Sequence, residues 1–366
     1  MSRRRVTQKE IAKSVGVSQT TVSLILAGDE SLSVSKETRE RVLKAAHTLG
    51  YVPQAAARAL VNGHSNTLAL ILFDPHVQVF RDPYIPNVMT GITEVAGAFG
   101  FRLLVERVRD GGDASIVRNL LKSSEAAGVI LVNCRVHNSP TITALHHEGY
   151  PILLLDTHDS NGLPMVGIDH IEGARQAARH LLSLGHKRIG CIPYTRLDHE
   201  HITSRYQVFL EELNADGVEM PPEYIAFGHF DPDTGEAAMR QLLTLPTPPS
   251  AVFAMNDLMA LGALKACFEC GVRVPDQMAL IGYDDMRFSE FTYPPLTTIR
   301  APEVDLGRRA AEVLLQMIND SLTETPVERL ATQLMIRQSC GGEKALTPNP
   351  SPSGRGALSP IDFPSS

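Results

Sequence analysis

Residues 6–26 read VTQKEIAKSVGVSQTTVSLIL. Ile11, Ala12 and Val15 recur at helical spacing from Glu10 onward, and Gly16-Val17-Ser18 then interrupts the run. Ser18 is a good N-cap, so a second helix is expected to start beside it. That helix turns Val22, Ile25 and Leu26 inward and leaves Gln19, Thr20, Thr21, Ser23 and Leu24 mostly outward. Further on, Ser35 can cap a third helix, with Glu37 in its first turn and Val42, Ala45, Ala46 and Leu49 on one face. Gly50 is expected to end it. Three short amphipathic helices with a tight turn between the first two form a helix-turn-helix pattern, whose second helix can enter a DNA major groove N-terminus first. A plain three-helix bundle has the same periodicity, and charge separates the two readings.

Residues 1–61 carry ten Lys/Arg against five Asp/Glu, a net of +5, in a chain whose total is −7, which leaves −12 for the remainder. A body that acidic is repelled by a polyanion, so any nucleic-acid partner must meet the N-terminal module. The whole chain has 366 residues, of which 43% are hydrophobic. That length fits two to three domains and a full core with no disulfide or metal staple. The run Leu68–Phe73 falls far short of the ~20 apolar residues of a membrane span. Arg3, Arg4 and Arg5 could open a signal peptide, but Thr7-Gln8-Lys9-Glu10 stands where its apolar core would be, and the cytosol is the expected compartment. The odd, scattered cysteines Cys134, Cys191, Cys267, Cys270 and Cys340 suit reduced thiols.

From Asn66 onward, short apolar runs alternate with helical stretches. The strand candidates are Leu68–Phe73, Phe101–Glu106, Gly128–Val132, Ile152–Asp156, Arg188–Pro193, Tyr224–Gly228, Ala251–Met255 and Met278–Tyr283. Such alternation specifies parallel sheets flanked by helices. The chain is too long for one such sheet, and Leu163-Pro164 divides two similar series, so two lobes with a cleft are expected. Ligands of open α/β sheets bind beyond the carboxyl ends of strands. That draws attention to Asn256-Asp257, Asp284-Asp285, Asp231 and Arg205, whose carboxylates, amide and guanidinium can hydrogen-bond the hydroxyls of a small polar molecule. Helix capping is the plainer reading of Asp257 and Asp284. No phosphate-binding, dinucleotide, nucleophile-elbow or zinc-protease motif is found, and Cys267-Phe268-Glu269-Cys270 lacks the strand that precedes a redox pair. Neither enzyme activity nor a cofactor is therefore expected. The Pro/Ser-rich stretch beyond Gly341 is expected to be disordered.

Beyond the third helix come Tyr51-Val52-Pro53 and the alanine-rich Gln54-Ala55-Ala56-Ala57-Arg58-Ala59-Leu60, too short to hold a helix alone in water. With this segment, VTQKEIAKSVGVSQTTVSLIL and VSKETRERVLKAAHTLGYVPQAAARAL resemble the headpiece and hinge helix of the LacI/GalR family of bacterial transcription regulators. The resemblance implies a helix-turn-helix headpiece over 1–52, a hinge over 53–65, a two-lobed α/β periplasmic-binding-protein-like domain over 66–340, and a tail over 341–366. Lobe 1 would comprise about 66–163 and 292–326, and lobe 2 about 164–291 and 327–340, with a last strand near Gln333–Arg337.

Carried over by position, Gln19, Thr20 and Leu24 read major-groove bases, Thr21 and Ser23 touch phosphates beside Ser18, and Leu60 wedges into the central minor groove with Ala57 and Arg58 next to it. Gln can bond adenine in bidentate fashion and Thr can meet a base edge, whereas Leu24 offers only apolar contact. Effector contacts fall on Arg205, Asn256 or Asp257, Asp284 and Phe230, with Tyr84 of the Asp82-Pro83-Tyr84 loop from the other lobe. The implied protein is a homodimeric repressor, cytoplasmic and nucleoid-associated, that binds a near-palindromic operator and answers to a sugar-like effector. Two departures from the family concern the effector site: His170 stands where Asn is usual, and Arg205-Tyr206-Gln207-Val208-Phe209 lacks a common glycine. The loop Asp198-His199-Glu200-His201 is unusual as well, although two imidazoles do not make a metal site.

Overall fold

The computed structural model describes residues 6–27, 33–51, 65–73, 82–108, 114–132, 134, 139–157, 162–194, 200–322 and 324–341. The expected hinge, with Ala57, Arg58 and Leu60, lies outside them, as do residues 28–32 and the tail.

The N-terminal module is three helices, α1 (Gln8–Val15), α2 (Gln19–Ala27) and α3 (Lys36–Thr48). Thr7 caps α1 in a reciprocal box with Glu10, its Oγ1 accepting the Glu10 N–H while Oε2 of Glu10 accepts the Thr7 N–H at 2.8 Å. Gly16 ends α1 at φ 76°, a left-handed conformation that lets the Gly16 and Val17 N–H groups both reach the Ala12 carbonyl. Ser18 then caps α2, accepting the Thr21 N–H at 2.9 Å. Ile11, Ala12, Val15, Val22, Ile25, Val42 and Ala46 form one buried core. Leu26 and Ala45 pack against that core only in part, and Leu49 is exposed because α3 has ended at Thr48 and Leu49 is its C-cap. Arg41 ties α3 to α1, its Nη2 donating to the Val15 carbonyl at 2.7 Å.

The rest of the chain forms two sheets. The first has the order β10-β5-β4-β3-β1-β2, built from β1 (Thr67–Phe73), β2 (Arg102–Val108), β3 (Gly128–Val132), β4 (Ile152–Leu155), β5 (Met165–Ile168) and β10 (Val327–Leu330). Every pairing in it is parallel, as in Leu68 opposite Leu103 and Val129 opposite Ile152. The second has the order β11-β9-β8-β7-β6, built from β6 (Ile189–Ile192), β7 (Ala251–Ala254), β8 (Ala279–Asp284), β9 (Thr297–Arg300) and β11 (Gln333–Met335). Strands β3, β4 and β7 are buried throughout, as two-sided helix cover requires.

The helices are α4 (Tyr84–Ala98), α5 (Ser115–Lys122), α6 (Pro140–His147), α7 (His170–Ser183), α8 (Glu200–Ala215), α9 (Pro232–Leu243), α10 (Asp257–Glu269) and α11 (Glu303–Ile318). Two compact units result: unit 1 holds Met1–Gln176, Tyr194–Glu212 and Arg300–Gln333, and unit 2 holds Ala177–Pro193, Leu213–Ile299 and Leu334–Ser366. Each unit has a close helix pair that depends on glycine. In unit 1 a Cβ on Gly91 of α4 would lie 1.9 Å from the Val304 carbonyl, and in unit 2 one on Gly262 of α10 would lie 1.8 Å from that of Pro232.

The expected crossings near 164, 291 and 327 are displaced. Met165–Ile168 and Val327–Leu330 belong to the first sheet and Thr297–Arg300 to the second, so the chain changes sheet after each of these strands. Pro164 precedes β5 directly, a position a strand tolerates, and therefore marks no boundary. Tyr224–Gly228 is not a strand. Tyr224 ends a short 3-10 turn, and the segment meets β6 and the residue after it through isolated contacts, Ala226 N–H to the Cys191 carbonyl and Gly228 N–H to that of Pro193.

Candidate functional site

The headpiece presents its polar face at the start of α2. Gln19 and Thr20 are exposed, while Thr21, Ser23 and Leu24 are half-buried. With Val22 and Ile25 fixed in the core, the first turn points the Gln19 amide and the Thr20 hydroxyl away from the module. Thr21 Oγ1 lies 2.8 Å from Ser18 Oγ, so the two hydroxyls that close the turn are engaged with one another.

In unit 1 a group of buried polar side chains gathers around Asp156, which follows β4 at φ 53°. Its carboxylate accepts the Ile168 N–H at 3.0 Å and the Tyr84 hydroxyl at 3.0 Å, and lies 2.9 Å from His170 Nε2. His170 Nδ1 is in turn 2.9 Å from Nη2 of Arg205 on α8. Asp156, His170, Arg205 and Glu303 are all buried. Glu303 opens α11 and accepts from Asn87 Nδ2 at 2.7 Å. Asp82 accepts the Tyr84 N–H at 2.8 Å, and burial pushes its carboxyl up despite the opposing pull of that bond and of Arg205. Burial, with Asp156 and Glu303 nearby, raises the Tyr84 phenol well above its ordinary value. The Tyr84 hydroxyl therefore stays a protonated donor.

In unit 2 the expected residues fall into different roles. Asn256 is the N-cap of α10, its Oδ1 accepting the Met259 N–H at 2.8 Å, and it is 1% exposed. Its Nδ2 is buried and has no hydrogen-bond partner among the described residues, which leaves a donor free for a ligand acceptor. Asp257 is corrected to a structural role. Its carboxylate is fully buried and accepts from Ser289 Oγ at 2.6 Å, Thr298 Oγ1 at 2.6 Å and the Met286 N–H at 2.8 Å. All three of these bonds lie within unit 2, where they brace the chain after β8 and the start of β9 against α10. Asp231 caps α9, accepting the Thr234 N–H at 2.8 Å. Asp284 ends β8 at φ 107°, Asp285 follows at φ 58° and Phe230 has φ 58°, left-handed conformations that side chains other than glycine's adopt at a cost. Asp285 is held by Arg337 Nη2 at 2.6 Å.

Asp156, Glu303 and Asn87 escaped the sequence reading. For Asp156 the signal is present, since it follows a strand end as Asn256 does. Cys267 is buried and its thiol is pushed up to about 12, the reverse of a redox thiolate. Among the described residues no cluster of three or more His, Cys, Asp or Glu could hold a metal, and no helix is long and apolar enough to cross a membrane. The side chains of His199 and His201 lie outside the described residues.

A helix-turn-helix followed by two parallel α/β units, with polar groups buried near strand ends, defines a ligand-responsive DNA-binding regulator. Residues 7–54 match the model of bacterial regulatory proteins of the lacI family, and 178–340 match a periplasmic binding protein-like domain. The chain is 34% identical to the HTH-type transcriptional regulator CelR of Thermobifida fusca, over 92% of this chain and 99% of CelR. It is 32% identical to the HTH-type transcriptional repressor CytR of Escherichia coli K12, over 91% and 96%. A solved CelR–cellobiose complex matches with a TM-score of 0.67 at 33% identity, covering 92% of this chain and 100% of that one. The lac repressor dimer bound to operator and the anti-inducer ONPF matches at 0.78 and 26% identity, covering 92% and 99%. The chain belongs to the LacI family. It is a transcriptional regulator and not an enzyme.

Proposed function

We propose that the protein is a homodimeric repressor that binds a near-palindromic DNA operator and changes its operator affinity on binding a sugar or sugar derivative. The observation that carries the reading is the exposed Gln19-Thr20 turn at the start of α2 on a module of net charge +5. The domain division is the headpiece over 1–52, the hinge over 53–65 and the effector-binding body over 66–340, with Ala57, Arg58 and Leu60 as the minor-groove contacts. The operator and dimer of the lac repressor complex and the cellobiose of the CelR complex support the partners named. The exposed aromatics Phe268, Phe291 and Tyr293 of unit 2 are surface that a second copy would cover. Binding to an operator implies a cytoplasmic protein associated with the nucleoid.

The candidate effector contacts are Arg205 and Tyr84 in unit 1 and, in unit 2, Asn256, Asp284 and the ring of Phe230 as a stacking surface. Asp82, Asp156 and Glu303 put three carboxylates around Tyr84, which favours a neutral polyhydroxyl compound over a phosphorylated one. A panel of neutral disaccharides, nucleosides and sugar phosphates, screened by thermal shift on the full chain, tests this. A specific ligand at a hundredfold excess over its Kd stabilises by ~2.7 kcal/mol. That stabilisation is expected from a neutral sugar and lost in Arg205→Ala and Asn256→Ala. Stabilisation by sugar phosphates alone would overturn the effector class.

A further inference from the structure

The regulator reading leaves His170 without a task, although it is buried between two groups of opposite charge. Its Nδ1 lies 2.9 Å from Nη2 of Arg205 and its Nε2 lies 2.9 Å from Oδ2 of Asp156, all within unit 1. A guanidinium has only donors, so the ring nitrogen facing it must be the bare acceptor. The proton of the neutral ring then sits on Nε2 and is donated to Asp156. An imidazolium would instead set one N–H against another.

We propose that His170 is a positioning residue of the effector site: Asp156 fixes its tautomer, and its Nδ1 holds the Arg205 guanidinium in the orientation in which Arg205 meets the effector. The proposal rests on the reading of Arg205 as an effector contact. Tyr84 and Ile168 contribute by donating to the same carboxylate at 3.0 Å each, which holds Asp156 in place. Arg205 is 5% exposed, and a long cation that far out of water needs an acceptor to define its plane.

Among the described residues, Asp156 from the end of β4, Arg205 from α8 and Arg329 from β10 act on the ring by charge. Burial, Arg205 and Arg329 together outweigh Asp156, and the imidazole titrates below its ordinary value. The arrangement therefore persists through the neutral range. It opens only when acid protonates the ring below the usual histidine range, which breaks the contact between His170 Nδ1 and Arg205.

Two near-isosteric variants separate the halves of the relay. Asn carries its amide oxygen near the place of Nδ1, so His170→Asn keeps an acceptor for Arg205, does not titrate and gives up Asp156. Gln carries its amide nitrogen near the place of Nε2, so His170→Gln keeps Asp156 and gives up Arg205. The experiment is NMR of the full chain labelled with ¹⁵N at histidine and arginine, without effector, with His170 and Arg205 signals assigned by their loss in His170→Asn and Arg205→Lys. At neutral pH the wild type should show the Nε2–H tautomer of His170 and separate, slowly rotating Nη signals for Arg205. His170→Asn should keep those Nη signals into acid, His170→Gln should shift and weaken them at every pH, and the wild type should show the same change as His170 protonates. An Nδ1–H tautomer, a charged ring at neutral pH, or unchanged Arg205 signals in His170→Gln would overturn the proposal. No effector enters these spectra, so failure of the relay and failure of Arg205 as an effector contact, read in the sugar panel, are separate outcomes.

Discussion

Replacing Asp257 by Asn should remove a pH dependence that the fold of unit 2 imposes. The Asp257 carboxylate is completely out of water, and burial raises its pKa from 3.8 to about 7 against the opposing pull of its bonds from Ser289, Thr298 and Met286. In the unfolded chain the carboxyl has its ordinary value. Between those two values the folded protein holds a proton that the unfolded chain has released, so stability falls as pH rises through the window and is flat on either side. A shift of that size at ~1.4 kcal/mol per pH unit is worth about 4 kcal/mol. Asp257→Asn keeps an oxygen for the Met286 N–H and offers an N–H to Thr298, whose hydroxyl can turn to accept. The variant has no charge to bury. Urea unfolding of the full chain and the variant, compared at intervals between about pH 4 and pH 8, isolates the group because every other titration cancels in the difference. The variant should gain on the wild type by about 4 kcal/mol from the acid end to the alkaline end. Parallel curves, with a difference constant to about 1 kcal/mol, would refute the account of Asp257 as a buried carboxylate that folding protonates.

Two further substitutions test the packing. Gly262→Ala drives a Cβ against the Pro232 carbonyl and the Glu236 N–H, both backbone, so relief requires α9 and α10 to separate. A loss of about 3 kcal/mol, read as a Tm drop of several degrees in calorimetry, is expected. Arg41→Ala leaves the Val15 carbonyl without its guanidinium donor and should destabilise the headpiece by about 2 kcal/mol, seen as earlier loss of helical circular dichroism on heating.

The headpiece was legible because every local signal there agrees. Apolar spacing, the Ser18 and Ser35 caps and the glycines at 16 and 50 all place the same helix ends. In the body, several strands buried on both faces were readable as continuous apolar runs, as in Gly128–Val132 and Ala251–Ala254. Three strands escaped. Met165–Ile168 follows a proline, Thr297–Arg300 is only four residues long, and Val327–Leu330 is a half-exposed edge carrying Glu328 and Arg329. Each gives too weak a period to stand apart from loop.

Arg205 was singled out by residue type and position, and Tyr84 by the family resemblance. Their hydrogen bonds to His170 and Asp156 were not, because those partners are distant in sequence and only the tertiary fold brings them together. The Asn256-Asp257 pair shows the same limit at shorter range. Either residue could cap α10, and it is the burial of Thr298 and Ser289 beside Asp257 that turns that carboxylate inward.

The central claim is that the first turn of α2 selects the DNA sequence. Selection of binding sites from a randomised duplex pool by the full-length protein, run in parallel with Gln19→Ala/Thr20→Ala, measures it directly. The wild type should enrich a near-palindromic motif. The double variant, folded and still stabilised by the same sugar, should enrich none or one altered at the positions that turn reads. Enrichment of the same motif by both proteins would contradict the claim.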